Sequence, residues 1–142
     1  MKTVSVKTKA RKQMLDVTAE VQKAVSESGI KEGLVMAYVP HTTAGITINE
    51  NADPDVCRDV LAHLGKLVPA DKSFRHAEGN SDAHIQAGLM GSSVMVIVDG
   101  GKLVLGTWQS VFFCEFDGPR TRNLHLKVMA DGSISSPGAH RP

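Results

Sequence analysis

The chain has 142 residues, of which 42% are hydrophobic and 22% charged, and a net charge of +1. That length fits one domain able to bury most of its apolar surface without staples. The near-neutral charge argues against wholesale nucleic-acid binding, and four Phe, one Tyr and one Trp are too few for a base-stacking platform. No apolar run approaches the roughly 18 residues of a membrane span, so no membrane segment is expected. Cys57 and Cys114 alone make no disulfide framework. With no signal peptide at Met1-Lys-Thr-Val, a cytoplasmic setting is expected.

The first expected element is a half-buried strand over Thr3 to Lys9, with Val4 and Val6 inward. A basic turn leads to a short strand from Gln13 to Leu15. Asp16 then caps a helix whose stripe is Val17, Val21, Ala24 and Val25, ended by Gly29. Gly33 to Val39 is nearly all apolar and reads as a strand buried on both faces or central in a sheet.

The stretch His41 to Val56 (HTTAGITINENADPDV) holds the densest set of chemically able side chains. Ala44 to Ile48 alternates as a strand, with Ile46 and Ile48 on one face and Thr47 and Asn49 on the other. Asp53-Pro54 is an N-cap followed by Pro at the first helical position. Val56, Val60, Leu61, Leu64 and Leu67 are the inward residues of that helix, with Cys57 a small packing residue.

A polar stretch from Asp71 to Ser81 precedes a short helix, Asp82 to Met90, with Ser81 as its cap and Gly91 as its end. Val94 to Val98 and Lys102 to Leu105 form a hairpin across Asp99-Gly-Gly101. Trp108 to Phe116 is a long strand. Gln109, Val111, Phe113 and Glu115 share one face, and Ser110, Phe112, Cys114 and Phe116 the other. Arg120 to Met129 runs back, with Leu124, Leu126, Val128 and, by parity, Arg122 inward. The tail, residues 131–142, is expected to be loosely ordered. The expected class is α+β: a single β-rich domain over residues 1–142. Its antiparallel or mixed sheets form a sandwich-like core, with two main helices and one short one.

Three sets of residues stand out for chemistry. His41, His76 and His84 are candidate ligands for a divalent metal, zinc or magnesium. Among the oxygen-bearing residues Asn49, Glu50, Asp53, Asp55 and Asp82, capping explains Asp53 and the helix dipole explains Asp55, leaving Glu50 the least explained. Gln109 and Glu115 place polar groups on an apolar face, where they need partners. Glu115 can pair with Arg120 or Arg122; Arg122 can instead meet a phosphate. His63, His125 and His140 read as surface histidines. Nucleotide-loop and serine-nucleophile motifs are absent.

The stretch from His41 to Val56, with AHIQAGLMGSS from Ala83, LGTWQS from Leu105 and EFDGPR from Glu115, resembles the YjbQ-type family. That family is described as secondary thiamine-phosphate synthase. The resemblance runs from the first strand to about Ala130. It implies a β-rich α+β subunit assembling as a homotrimer, and a metal-assisted transferase acting on small phosphorylated metabolites. The implied reaction joins a pyrimidine methyl diphosphate to a thiazole phosphate and releases pyrophosphate. Carried onto this chain, it gives His41, Glu50, Asp82 and Gln109 as catalytic candidates. Thr42, Asn49 and Arg122 become substrate or phosphate binders, and His41, His76 and His84 metal ligands. A metal-dependent hydrolase of phosphorylated metabolites and a non-catalytic trimeric ligand-binding protein are the competing readings. Fully extended, His41 and Glu50 would stand roughly 30 Å apart, so sharing one site requires a bend or a neighbouring subunit.

Overall fold

In a computed structural model that describes residues 1–132, eight strands and three helices build two sheets around two apolar cores. The expected tail falls mostly at residues 133–142, outside the described residues. Strands β1 (Lys2–Lys7), β8 (Thr121–Ala130), β3 (Gly33–Tyr38), β5 (Ser93–Asp99) and β6 (Lys102–Leu103) lie in that order in a five-stranded sheet. Strands β2 (Gln13–Asp16), β7 (Gln109–Glu115) and β4 (Ala44–Glu50) form the second sheet. Every pairing among the described residues is antiparallel. The fold is α+β, as expected.

The period-2 patterns decide the layering. One core joins Val35, Ala37, Leu124 and Leu126 of the larger sheet to Ile46, Val111 and Phe113 of the smaller. Helix α1 (Thr18–Ser28) adds Val21, Ala24 and Val25. The opposite face of β7 presents Phe112 and Cys114, with Phe116 beyond it, to helices α2 (Pro54–Leu67) and α3 (Ser81–Met90). The central strand of the smaller sheet is therefore covered on both sides. Burial pushes the Cys114 thiol up to about 12, as befits an inert packing residue.

Several expectations needed correction. Strand β3 is central, between β8 and β5, one of its two expected placements; the other, burial on both faces, does not hold, since Leu34 and Tyr38 are exposed on its outer face. An unbroken apolar run therefore marks one covered face and one apolar open face. Helix α2 buries no residue completely; Leu61 and Leu64 lean on the second core, while Leu67 is 63% exposed. Its start is as expected, the Asp53 carboxylate accepting from the Asp55 N–H at 2.9 Å. Strand β6 stops at Leu103. Ser81 is the first residue of α3, and Asn80 precedes it. His125 is half-buried, bonded to the Thr3 hydroxyl and stacked on Tyr38, and so is no bare surface residue.

One close approach positions α3. A Cβ on Gly45 would stand 2.6 Å from the Gly91 carbonyl oxygen, and that same carbonyl accepts from the Ile46 N–H at 3.0 Å. Glycine at 45 lets the end of α3 sit against the start of β4. This brings His84 alongside the segment that begins at His41.

A candidate anion-binding cleft

A hollow of about 540 Å³ opens where β3 ends, β4 begins, α3 starts and the β7–β8 turn passes. One wall is Tyr38 and the segment 40–43; another is Glu78, Asn80 and His84; Arg120 and Arg122 complete it. A second hollow of about 360 Å³ shares His41, Thr42 and His84 and is otherwise lined by small residues, among them Ala44, Ala87, Gly88 and Gly91. The two imidazoles thus stand where a polar lobe meets an apolar one.

Arg122 is anchored from within. Glu115, at 0% exposure, takes its Nε–H at Oε1 (2.9 Å) and its Nη2–H at Oε2. Nη2 also donates to the Thr43 hydroxyl at 2.8 Å. Glu115 further accepts from the Thr8 hydroxyl and from the Phe116 and Asp117 N–H groups. Burial alone would raise the Glu115 carboxyl, but the hydrogen bonds from Arg122 and Thr8 hold it below the usual range. Of the two expected partners, Arg122 is the one Glu115 takes. Arg120 instead donates from Nη2 to the Asp117 carboxylate at 3.1 Å and from Nε to the Asp117 carbonyl. Neither arginine uses Nη1 in these bonds.

His41 has a structural task that its sequence context does not announce. Strand β3 leaves the ladder after Tyr38, opposite His125. Pro40 follows, and the Asn123 N–H farther along β8 needs another acceptor. The His41 Nε2 supplies it at 2.8 Å. A backbone N–H can only donate, so Nε2 accepts and the neutral ring carries its proton on Nδ1. Burial, and then the Arg122 charge, lower the His41 pKa and keep the ring neutral. In this arrangement neither nitrogen keeps a lone pair for a metal. His76 is exposed, touches His84 edge-on at 5.3 Å between ring centres, and lies 3.8 Å from the Glu78 carboxylate. Among the described residues no group of three or more His, Cys, Asp or Glu side chains is placed to hold a metal ion. The expected triad of His41, His76 and His84 therefore does not fit a metal centre within one chain.

The other candidates separate by place. Thr42 lines the cleft beside His41. Asp82 is buried and bound to Arg11 at 3.2 Å and Lys12 at 3.1 Å, tying α3 to the turn before β2. Burial would raise its carboxyl, but these cations outweigh burial and lower it. Asn49, Glu50 and Gln109 sit at the far end of the smaller sheet, where Glu50 faces Gln109. That is roughly 20 Å of strand from Ala44. Asn49 accepts from the Glu50 N–H and Gln109 from the Gly106 N–H. None of the three lines the cleft. Residues that do, and that pattern alone did not single out, are Tyr38, Thr43, Asn80 and Arg120.

A family model described as UPF0047 protein YjbQ-like matches residues 2–131. The chain belongs to the YjbQ-like UPF0047 family. A UPF0047 protein of Methanocaldococcus jannaschii is 52% identical over 126 residues, covering 89% of this chain and 91% of that one. The UPF0047 protein YugU of Bacillus subtilis is 51% identical, covering 91% and 98%. A crystal structure of a YjbQ/UPF0047 protein from Clostridium acetobutylicum superposes with a TM-score of 0.89 at 53% identity, covering 91% of this chain and all of that one. A YbjQ-like protein of Sulfolobus solfataricus gives 0.87 at 32% identity, covering 92% and 96%. Each of these likenesses spans most of the chain.

Proposed function

We propose that the cleft binds a phosphorylated small metabolite, and that the chain uses it as a thiamine-phosphate synthase-like transferase in the cytoplasm. The observation that carries this reading is the pair Arg120 and Arg122 lining one cleft with His41 and His84. Two guanidinium groups held by carboxylates present fixed donors to a diphosphate. In the proposed reaction the bond from the pyrimidine methylene carbon to oxygen breaks, and its electron pair leaves with pyrophosphate. The thiazole nitrogen supplies the pair for the new carbon–nitrogen bond. Arg120 and Arg122 stabilise charge on the leaving group. Neutral His41 offers an Nδ1–H, and Thr42 a hydroxyl, to the same oxygens. The small-residue lobe beside the imidazoles suits a planar ring. No step is assigned to a metal.

We also propose a homotrimer. Leu34, Tyr38, Met95 and Ile97 leave an exposed apolar band on the outer face of β3 and β5, and Tyr38 is also a wall of the cleft. Copies packed on that band would complete the cleft from outside. The test of the reaction is product formation from both substrates by purified protein, with and without magnesium, together with rescue of a thiamine auxotroph lacking its principal synthase. Failure of both overturns the transferase. Turnover of simple phosphate esters instead would favour a hydrolase, and binding without turnover a binding protein.

A further inference from the structure

Gly88 and Gly91 both line the smaller hollow, and the fold accounts for only one of them. Gly91 ends α3 at a φ of +98°, in the left-handed region that favours glycine. Gly88 lies inside α3, has no positive φ, and a Cβ built on it would meet nothing within 4 Å. Neither the backbone nor a neighbour forbids a side chain there. A helix is less stable with glycine than with alanine at such a position, so the fold gains nothing from Gly88.

The bare position is open to the hollow. Helix α3 and its end contribute His84, Ala87, Gly88 and Gly91 to the lining, and residues spaced by three and four share one side of a helix. Gly88 is itself exposed. A side chain at 88 would lean over the preceding turn, which carries His84. Its absence leaves free the space beside His84, in the lobe that His41 and Thr42 also line.

We infer that Gly88 sets the size of the organic group the cleft accepts: the phosphates lie at Arg120 and Arg122, and a single aromatic ring lies in the lobe against the Gly88 backbone. This role rests on the anion-binding reading of the cleft and adds the organic half of the ligand. Glycine permits the close approach of a ligand to the backbone; a larger residue at 88 would take the place of the ring and leave the arginines untouched.

The test is calorimetric titration of the full chain with methyl diphosphate and phenyl diphosphate, which carry the same charged head. The wild type should prefer the phenyl compound by about tenfold or more, from burial of the ring. Gly88→Leu should erase that preference while methyl diphosphate binds as before. Gly88→Ala should cut the preference at least about threefold and raise the melting temperature by a few degrees. This milder variant decides the matter if Gly88→Leu does not fold. Gly65→Ala is the control, since Gly65 lies inside α2 with equally open surroundings and lines neither hollow. It should gain similar stability and keep the full preference. Equal affinities in the wild type would overturn the role of Gly88 and leave the anion-binding reading standing. A full preference in either folded Gly88 variant would overturn it too, because the ring would then lie elsewhere. So would a lower melting temperature in Gly88→Ala, which would make the glycine a requirement of the fold, or equal loss of both ligands in Gly88→Leu. No binding of either compound by the wild type would sink the anion-binding reading, and the role of Gly88 with it.

Discussion

Arg122 and Glu115 join the two sheets through paired hydrogen bonds, from a strand of the larger sheet to the last residue of the smaller sheet's central strand. Both side chains are almost sealed from water, with side-chain exposures of 6% and 0%. Removing one partner of such a pair strands the other charge, at a cost of about 3–5 kcal/mol. Arg122→Met should therefore lower unfolding free energy by that amount in urea titrations. A loss below about 1 kcal/mol would mean that the pair contributes little beyond filling space.

Acid should weaken the fold for the same reason. The carboxyls of Glu115, Asp82 and Asp117 are all held below their ordinary pKa by hydrogen bonds and cations that outweigh burial. Each contributes stability that is complete above the unfolded carboxyl range and is lost as pH falls through the lower folded value. The carboxyls' share of the urea midpoint should hold steady from pH 7 to about 5 and decline below about pH 4. His41 adds a smaller decline below about pH 6.5, since its folded pKa is lowered and the unfolded chain takes up the proton first. A midpoint that rises on acidification would contradict these signs.

Gly45 is a packing requirement rather than a flexible joint. An added methyl would press on the Gly91 carbonyl at 2.6 Å. Gly45→Ala should cost about 1–3 kcal/mol and push α3 away from β4, separating His84 from His41. Thermal unfolding checks the first effect, and the His84 ring-proton chemical shifts check the second.

Much of this fold was legible in the sequence because most strands bury one face, which prints alternation on the chain. Val111 and Phe113 against Phe112 and Cys114 is the clearest case. Asp53-Pro54 announced a helix start by local chemistry alone. The Glu115 pairing was foreseeable as well, since a carboxylate among Val111 and Phe113 needs a cation nearby. The roles of His41 and Asn80 were hidden for one physical reason. His41 serves a backbone N–H 82 positions away, and Asn80 is oriented by a carboxylate 37 positions away. Neither relationship leaves a local pattern. Glu50 stood out because it had no local explanation, and it lies at the end of its strand away from this cleft.

The outer face of β3 and β5 supplies a test of assembly. Met95 and Ile97 are 56% and 58% exposed. If copies pack there, Ile97→Glu should shift sedimentation from trimer to monomer without unfolding the chain. An unchanged trimer would place the interface elsewhere, and a monomeric wild type would remove the homotrimer altogether.

If the cleft of Arg120, Arg122, His41 and His84 is the functional site, and the far end of the smaller sheet is not, the two places should differ in their hold on a diphosphate. Calorimetric binding of inorganic pyrophosphate to three proteins tests it most directly. Wild type and Glu50→Ala should bind alike, while Arg120→Ala should bind at least about tenfold more weakly, the loss of one charge-assisted contact. Weakened binding in Glu50→Ala with none lost in Arg120→Ala, or no binding by the wild type, would contradict the account.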